Sequence, residues 1–377
     1  MTDLPTIQAL RPPAPAPEAA DVLSALPEHA PAARVWEACG AAGLTESLYD
    51  EQGTVIPRRL AALLAAVDAR GDNGATLSVL VQAASALPVL ATDAPGEGPV
   101  REALDGVRSG RQTLALAATD RDAAGSDLAG LTTAVDLGPD ELVLRGGKRW
   151  ITTACAADWF LVLARHRPGR HFTSFTWVLV PSGAPGVRVT PAETDLLPGS
   201  ATGHVEFTDV RLAPGHVVGR PGRGMLAFAR HMGTERLAGA QWALALTGRV
   251  LADTKERLTL RTVDGAPLWQ NAAVRQRYAT CLVQVRQLQA LCDQLGDRIA
   301  QQRDLAAAAL LKSAVGLTVD PVLSACSQLQ GADGLARGGA QRIRAEAAVF
   351  GIGGGVTELV LDAVADYADQ ILGELSP

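Results

Sequence analysis

The spacing of apolar residues changes twice along the 377-residue chain. Between residues 21 and 110 they recur every three or four positions, as in AARVWEACGAAGL and IPRRLAALLAAVDARG, which predicts a small helical domain. From residue 113 to 218 they alternate with polar residues in short runs such as ELVLRGGKRWITTA, which predicts an antiparallel sheet. After Gly222 the helical period returns in long stretches that predict a helical bundle.

This order of helices, sheet and helices predicts an α+β protein with three folded domains. We expect an N-terminal helical domain over residues 19–112, a middle β domain over 113–222 and a C-terminal helical domain over 223–377. Residues 1–18 are rich in proline, which supports neither a helix interior nor a central strand, so we expect a flexible arm there. The long C-terminal helices are predicted at residues 225–260, 271–302, 305–328 and 358–375.

Composition and charge narrow the function classes. Hydrophobic residues make up 47% of the chain and charged residues 20%, and the net charge of −6 argues against a nucleic-acid partner. No apolar run approaches the ~20 residues that span a bilayer, and no export signal is seen, so we expect a cytoplasmic protein without a membrane partner. The five cysteines are widely spaced without metal-ligand patterns, which predicts buried free thiols and no metal site.

Five sequence segments occur in an order that is typical of one enzyme family. They are ATDRDAAGSDLAG, GKRWITTACAADWFLVLAR, HVEFTDVRLAPGHVVG, RGMLAFARHMGTERLAGAQWAL and QLQGADGLARGGAQRIRAEAAVFGIGGG. Together they resemble the acyl-CoA dehydrogenase family over nearly the whole chain from about residue 30. The resemblance implies a flavoprotein oxidoreductase with that family's helical, β and helical domains.

The same resemblance assigns a site for FAD. It places Trp150 and Thr152 against the flavin ring, with the Thr119 loop at the polar edge of the ring. An indole supplies a flat wall for such a ring, although Trp150 taken alone reads as an inward-facing strand residue. The remaining residues that the resemblance assigns to the cofactor are Ser126, Arg261, Gln328 and Gly331. The resemblance also places Ser126 and Arg236 at the substrate.

Removal of a proton beside a thioester carbonyl requires a carboxylate base, while the neighbouring carbon gives a hydride to the flavin. Many family members carry this base in a Tyr-Glu-Gly-Thr string, but here the aligned residues are Gly353–Val356. The isovaleryl- and long-chain-type members place the glutamate in a Glu-Arg pair on an earlier helix, which corresponds to Glu235 and Arg236. We therefore predict Glu235 as the base; an ordinary pair on a helix surface is the alternative.

Departures from the family pattern leave two other functions open. Asp264, Ala272, Ala332 and Val356 replace residues that are usual in the family. Arg261 still suits a pyrophosphate of a neighbouring subunit, although a solvated surface arginine fits as well. The alternatives are a flavin-dependent monooxygenase on the same fold and a homologue that has lost its catalytic activity.

Substrate and partners follow only from the resemblance. It implies an acyl group on CoA or on an acyl carrier protein, in a specialised or secondary metabolic pathway. It also implies an electron acceptor, either an electron-transfer flavoprotein or oxygen, and a homodimer or homotetramer whose flavin sites are completed across subunits.

Overall fold

The computed structural model describes residues 17–123, 125 and 127–375, and these form helices, then a sheet, then helices. The N-terminal helices are α1 (Pro17–Ser24), α2 (Ala32–Ala41), α3 (Leu44–Ser47), α4 (Pro57–Asp68), α5 (Asn73–Val81), α6 (Leu87–Ala91) and α7 (Pro99–Arg108). A π-helical turn over Gln82–Ala86 joins α5 to α6. Residues 1–16 of the predicted arm lie outside the described residues, but Pro17 already begins a helix, a position where proline needs no N–H partner.

The middle of the chain forms one twisted sheet. Its strands are β1 (Leu114–Ala117), β2 (Ala134–Leu137), β3 (Leu142–Ile151), β4 (Trp159–Arg165), β5 (Phe175–Pro181), β6 (Val187–Pro191), β7 (Gly203–Leu212) and β8 (Val217–Val218). Their order is β6-β7-β3-β2-β4-β5-β8, and β1 pairs with β4. The prediction of an antiparallel sheet was wrong for β1 and for the end of β2, which run parallel to β4 because a long connection separates each of them from it.

The central strand β4 separates two hydrophobic cores. Leu161 and Leu163 point into a large core that is shared with the helices, whereas Phe160 and Val162 point into a smaller core on the other face of the sheet. Every residue from Phe160 to Ala164 is buried, so the strand reads as a continuous apolar run rather than an alternating one. The helices thus pack against one face of the sheet, and the strands themselves enclose the smaller core on the other face.

The C-terminal part is built on long helices. They are α8 (Gly224–Leu260), α9 (Ala272–Gln302), α10 (Leu305–Gln330), α11 (Ala340–Ala347), α12 (Val349–Ile352), α13 (Thr357–Asp366) and α14 (Ala368–Leu375), with a short hairpin of β9 (Thr262–Val263) and β10 (Ala266–Pro267) after α8. The single helix that was predicted from Glu358 to Leu375 is interrupted at Tyr367, so that prediction was wrong. The α+β fold class is confirmed.

Two other sequence predictions need correction. Cys155 is exposed, while the other four cysteines are buried free thiols as expected. Two helical segments, Asn73–Ala91 and Leu305–Leu335, are long and apolar enough to cross a membrane by length and composition alone. Their apolar windows are 83% and 56% buried inside the folded chain, which accounts for their composition as packing within the protein.

A buried polar network joins the N-terminal helices to α8. The carboxylate of Asp68, at the end of α4, accepts hydrogen bonds from Trp242 Nε1 at 3.0 Å and from Arg249 Nε at 2.7 Å. Arg249 also donates to Asn73 Oδ1 at 2.9 Å, and Asn73 donates to Glu346 Oε2 on α11 at 2.8 Å. The carboxylate of Glu346 closes this network.

Replacing Asp68 with alanine should lower the free energy of unfolding by about 3 kcal/mol, because the charge of Arg249 would lose its buried partner. Urea denaturation of the purified protein measures this change. The matched control is Asp136→Ala, since Asp136 forms an exposed ion pair with Arg145, and its loss should leave the free energy of unfolding close to that of the unmodified protein. Equal losses in the two variants would show that the network adds nothing specific to the fold.

Candidate active site

Glu235 lies on α8 and is half-buried, facing a π-helical turn and a glycine turn rather than open solvent. Its Oε2 accepts a hydrogen bond of 2.9 Å from the hydroxyl of Ser85. Ser85 belongs to the π-helical turn over Gln82–Ala86, a rare geometry that is frequent at functional sites. The alternative of an ordinary surface pair is therefore wrong for this glutamate.

The glycine turn after α12 lies directly beside this carboxylate. Gly354 and Gly355 adopt φ values of +69° and +109°, which side chains rarely tolerate. A methyl group added at Gly354 would lie 3.8 Å from Oε1 of Glu235. The two positions at which family members carry the base thus converge on one place, and here Glu235 occupies it from the helix side.

Two cationic side chains lie at the same place. The guanidinium of Arg236 donates from Nε to the carbonyl of Gly354 at 3.0 Å. The ammonium of Lys312, on α10, donates to the carbonyl of Phe350 at 2.5 Å, and this side chain is almost fully buried. Arg236, which the resemblance assigned to substrate, here also holds the glycine turn.

These surroundings shift the pKa values of both buried groups. Burial raises the pKa of Glu235, against the opposing effects of the Ser85 hydrogen bond, the charges of Arg236 and Lys312, and the backbone N–H of Gly354. Burial lowers the pKa of Lys312 to about 8, assisted by Arg236 and opposed by Glu235. A carboxylate whose pKa is raised by burial is a stronger base than an exposed one, which suits it to accept a proton.

A cavity of about 360 Å³ lies beside the turn of α8 that precedes Glu235 in the sequence. Its lining includes three arginines, two carboxylates and three other polar side chains. These are Arg108, Arg230 and Arg303, Glu51 and Asp93, and Thr92, His231 and Thr234. Thr92 Oγ1 and His231 Nε2 are 2.8 Å apart, and burial with the charges of Arg230 and Arg303 lowers the pKa of His231 to about 4. The imidazole is therefore neutral at pH 7.

A larger cavity of about 550 Å³, between α4, α8 and α9, is lined by none of the predicted site residues.

The residues assigned to the flavin ring lie in the β domain. Trp150 has a φ of +54° and is 52% exposed, so the alternative of an inward-facing strand residue is wrong. Its backbone N–H donates to His204 Nδ1 at 3.2 Å, and its ring meets the His204 ring edge-on at 5.3 Å between centroids. About half of the Trp150 side chain thus stays accessible to solvent. Thr152, two residues after Trp150 in the sequence, is partly buried. Ser126 lies outside the described residues.

A buried ion pair supports the Thr119 loop. The backbone carbonyl of Thr119 accepts from Arg149 N at 3.1 Å, and the next residue, Asp120, lies 3.5 Å from Lys148 Nζ. Asp120 also accepts from the backbone N–H groups of Thr132 and Thr133. Burial alone would raise the pKa of Asp120, but Lys148 and these hydrogen bonds outweigh burial and lower it to about 2. Family members carry glutamate here, and the shorter side chain still reaches its lysine.

Arg261, which the resemblance assigned to the pyrophosphate, lies at the other end of α8, near the cofactor residues Gln328 and Gly331. A methyl group added at Gly331 would lie 2.8 Å from Nη1 of Arg261, so these two residues are brought together. Gln328 is exposed and accepts a hydrogen bond from Arg277. The sequence analysis did not identify Arg277 as a neighbour of this group. The described contacts do not join this group to Trp150, which lies in the sheet domain.

The aspartate that replaces an aromatic residue after Arg261 has a local explanation. Asp264 and Gly265 adopt φ values of +52° and +78°, which are those of a tight hairpin turn between β9 and β10. Asp-Gly is a favoured pair for such a turn, because both central residues need a positive φ. The substitution therefore preserves the loop that presents Arg261.

Comparison with known proteins identifies the family. The model of the acyl-CoA dehydrogenase middle domain matches residues 115–210, and the model of the acyl-CoA dehydrogenase C-terminal domain matches residues 222–368. Together the matches extend over more than half of the chain.

The chain belongs to the acyl-CoA dehydrogenase family.

Two curated relatives illustrate the range of the acyl-CoA dehydrogenase family. An acyl-[acyl-carrier-protein] dehydrogenase of a Mycobacterium species is 30% identical over 56% of this chain and 54% of its own length. Cyclohexane-1-carbonyl-CoA dehydrogenase of Geobacter metallireducens is 29% identical over 55% of this chain and 54% of its own length. The chain thus aligns with about half of the length of each of these relatives.

A solved structure extends the likeness to almost the whole chain at the level of fold. Glutaryl-CoA dehydrogenase from Mycobacterium smegmatis in complex with FADH2 superimposes with a TM-score of 0.83, over 93% of this chain and 92% of that chain, at 18% identity. This likeness shows that the N-terminal helices also follow the acyl-CoA dehydrogenase fold. The resemblance drawn from the sequence is confirmed.

The sequence analysis missed three residues that the structure places at the site. Ser85 carries no local signal, because its role arises from the π-helical turn. His204 acts through a contact with Trp150 that spans two strands. Lys312 did carry a signal, since it is one of three lysines in the chain and it interrupts the apolar stretch LAAAALLKSAVGL.

Replacing Asp120 with asparagine should destabilise the fold by about 2 kcal/mol at pH 7, because the native carboxyl has a pKa of about 2 against an ordinary value of 3.8. The group's pKa is depressed, so its stabilising effect is present above about pH 4 and is lost as the pH falls toward 2. Urea denaturation of both proteins at several pH values tests this dependence. A pH-independent difference between Asp120→Asn and the unmodified protein would contradict the account.

Proposed function

We propose that the protein is an FAD-dependent dehydrogenase that introduces a double bond between the α- and β-carbons of an acyl thioester. The observation that carries this proposal is the carboxylate of Glu235 beside Gly354, at the place where the two known base positions of the family converge. The names of the curated relatives support a thioester substrate, since both act on acyl groups carried by CoA or by a carrier protein.

Glu235 acts as the base in this reaction. In its ionised form the carboxylate takes the proton from the α-carbon, and the electron pair of the broken C–H bond forms the new double bond. When bound, FAD supplies the acceptor for the hydride that leaves the β-carbon. Ser85 holds Oε2 of the carboxylate by its hydrogen bond, so Oε1 remains directed toward Gly354 and the substrate side.

The residues of this chain fit the proposed cofactor. The half-exposed indole of Trp150 offers flat aromatic surface to an isoalloxazine ring, and His204 packs against the indole at right angles. Arg261, held beside the positive-φ turn at Gly331, offers a guanidinium to a pyrophosphate. The separation of the two groups within one chain is consistent with a cofactor site that a second subunit completes.

The carrier, the electron acceptor and the assembly belong to the same proposal. We place the acyl group on CoA or on an acyl carrier protein, and the electrons pass on to an electron-transfer flavoprotein or to oxygen. The active form is a homodimer or homotetramer in the cytoplasm, with a role in specialised metabolism.

The Glu235→Gln variant tests the base. Flavin reduction by an acyl thioester should slow by about 10²–10⁴-fold, because glutamine cannot accept the α-proton. The FAD-loaded protein is mixed anaerobically with a panel of acyl-CoA and acyl-carrier thioesters, and bleaching of the visible flavin bands is followed by stopped flow. FAD occupancy should be unchanged in the variant.

Glu256→Gln is the matched control, because Glu256 is an exposed glutamate on the same helix. Its rate should equal that of the unmodified protein. Unchanged bleaching in Glu235→Gln would overturn the assignment of the base. If no thioester bleaches the bound flavin, the dehydrogenase proposal fails; oxygen consumption with a hydroxylated product would then identify a monooxygenase.

The Trp150→Ala variant tests the flavin-facing wall. The dissociation constant for FAD should rise about 2- to 10-fold, because a stacking contact of about 0.5–1.5 kcal/mol is lost. Titration of the apoprotein with FAD, followed by flavin fluorescence, measures this constant. Phe172→Ala removes a similarly exposed aromatic side chain from the same domain, with 58% exposure, and should leave FAD binding unchanged. An unaltered constant in Trp150→Ala would refute the placement.

A further inference from the structure

Lys312 is a buried cation in an otherwise apolar part of α10. Its side chain is nearly enclosed, with 4% relative exposure, and it follows Leu310 and Leu311 in the sequence. Moving an ammonium group out of water is costly unless hydrogen bonds and an opposite charge compensate for the lost hydration. The contacts of Lys312 should therefore show what its charge is used for.

The ammonium group contacts the segment that leads into the glycine turn. Its Nζ donates to the carbonyl of Phe350, within α12, at 2.5 Å, and Gly353 N donates to Val349 O at 2.7 Å in the same segment. A methyl group added at Gly354 would lie 3.7 Å from Cε of Lys312. The same point lies 3.8 Å from Oε1 of Glu235, so Lys312 and the carboxylate approach the turn from two different helices.

The groups that surround Glu235 define its electrostatic environment. Arg236 on α8 and Lys312 on α10 are the cations that act on it, and Ser85 contributes an uncharged hydroxyl from the π-helical turn. His231, one helical turn before Glu235, is neutral at pH 7. On the outer side, Glu358 of α13 acts on Lys312 and Tyr367 acts on Arg236.

We propose that Lys312 is a positioning residue for Glu235: its ammonium group anchors the glycine turn through the carbonyl of Phe350, and its positive charge favours the ionised form of the neighbouring carboxylate. Arg236 holds the same turn through the carbonyl of Gly354, so the two cations share this task from opposite helices. The inference deepens the proposed function, because an enclosed carboxylate can accept a proton only if it is ionised at the working pH.

Two substitutions separate the charge of Lys312 from its hydrogen bond. Lys312→Gln keeps an N–H donor for Phe350 but removes the charge, whereas Lys312→Arg keeps both. The pH at which Glu235 is half protonated is measured in the FAD-loaded protein by infrared difference spectroscopy. The protonated carboxyl band of Glu235 is identified by its absence in Glu235→Gln.

We expect this midpoint to rise by about 1 pH unit or more in Lys312→Gln, because an opposite charge nearby favours the ionised form. In Lys312→Arg the midpoint should stay close to that of the unmodified protein. The acid limb of kcat/KM for an accepted thioester should move to higher pH in parallel with the midpoint.

Lys255→Gln is the matched control, because it removes one positive charge from a lysine that lies on Trp269, near the far end of α8. It should leave the midpoint unchanged, and Lys312→Met provides a second neutral variant in case the glutamine variant does not fold. An unchanged midpoint in a folded neutral variant would overturn the proposal. The spectroscopic readout does not depend on turnover, so a shifted midpoint without any thioester activity would reject the proposed function alone.

Discussion

The carboxylate of Glu235 lies where water contributes little to its stabilisation, and several elements are arranged around that constraint. Desolvation favours the protonated form, while a hydroxyl, a backbone N–H and two cations favour the ionised form. These opposing influences come from helices that are distant in sequence, so the environment of the carboxylate exists only in the folded chain. A small displacement of any of these helices would change how readily the group gains or loses a proton.

Helix α8 connects the three parts of the protein. It has 37 residues and is about 55 Å long. Its first carbonyl, at Gly224, accepts a 2.9 Å hydrogen bond from Trp177 of the sheet. Further along it carries Glu235, and then Trp242 and Arg249, which bind Asp68 of the N-terminal helices. One rigid element thus fixes the carboxylate relative to the sheet and to both helical regions.

The sequence predicted the fold well, because long helices and short alternating strands leave a periodic signal. It failed where the structure departs from regular periods, as at the break near Tyr367 and in the parallel pairing of β1 with β4. For the site, the motifs identified Glu235 and Trp150, since family resemblance carries such residues over directly. Ser85 was not predictable, because its contact with Glu235 joins residues 150 positions apart.

The π-helical turn over Gln82–Ala86 has a consequence for insertions and deletions in this region. Bonding from residue i to i+5 fits one residue more into the turn than an α-helix would hold. Removing one residue here would restore regular α-helical bonding and leave the phase between α5 and α6 nearly unchanged, because the wider turn accommodates its additional residue within one revolution. Ser85 lies inside this turn, so its hydroxyl would be displaced from Glu235 even though the flanking helices keep their orientation. In this helix, the length of the segment carries as much structural information as the identity of its residues.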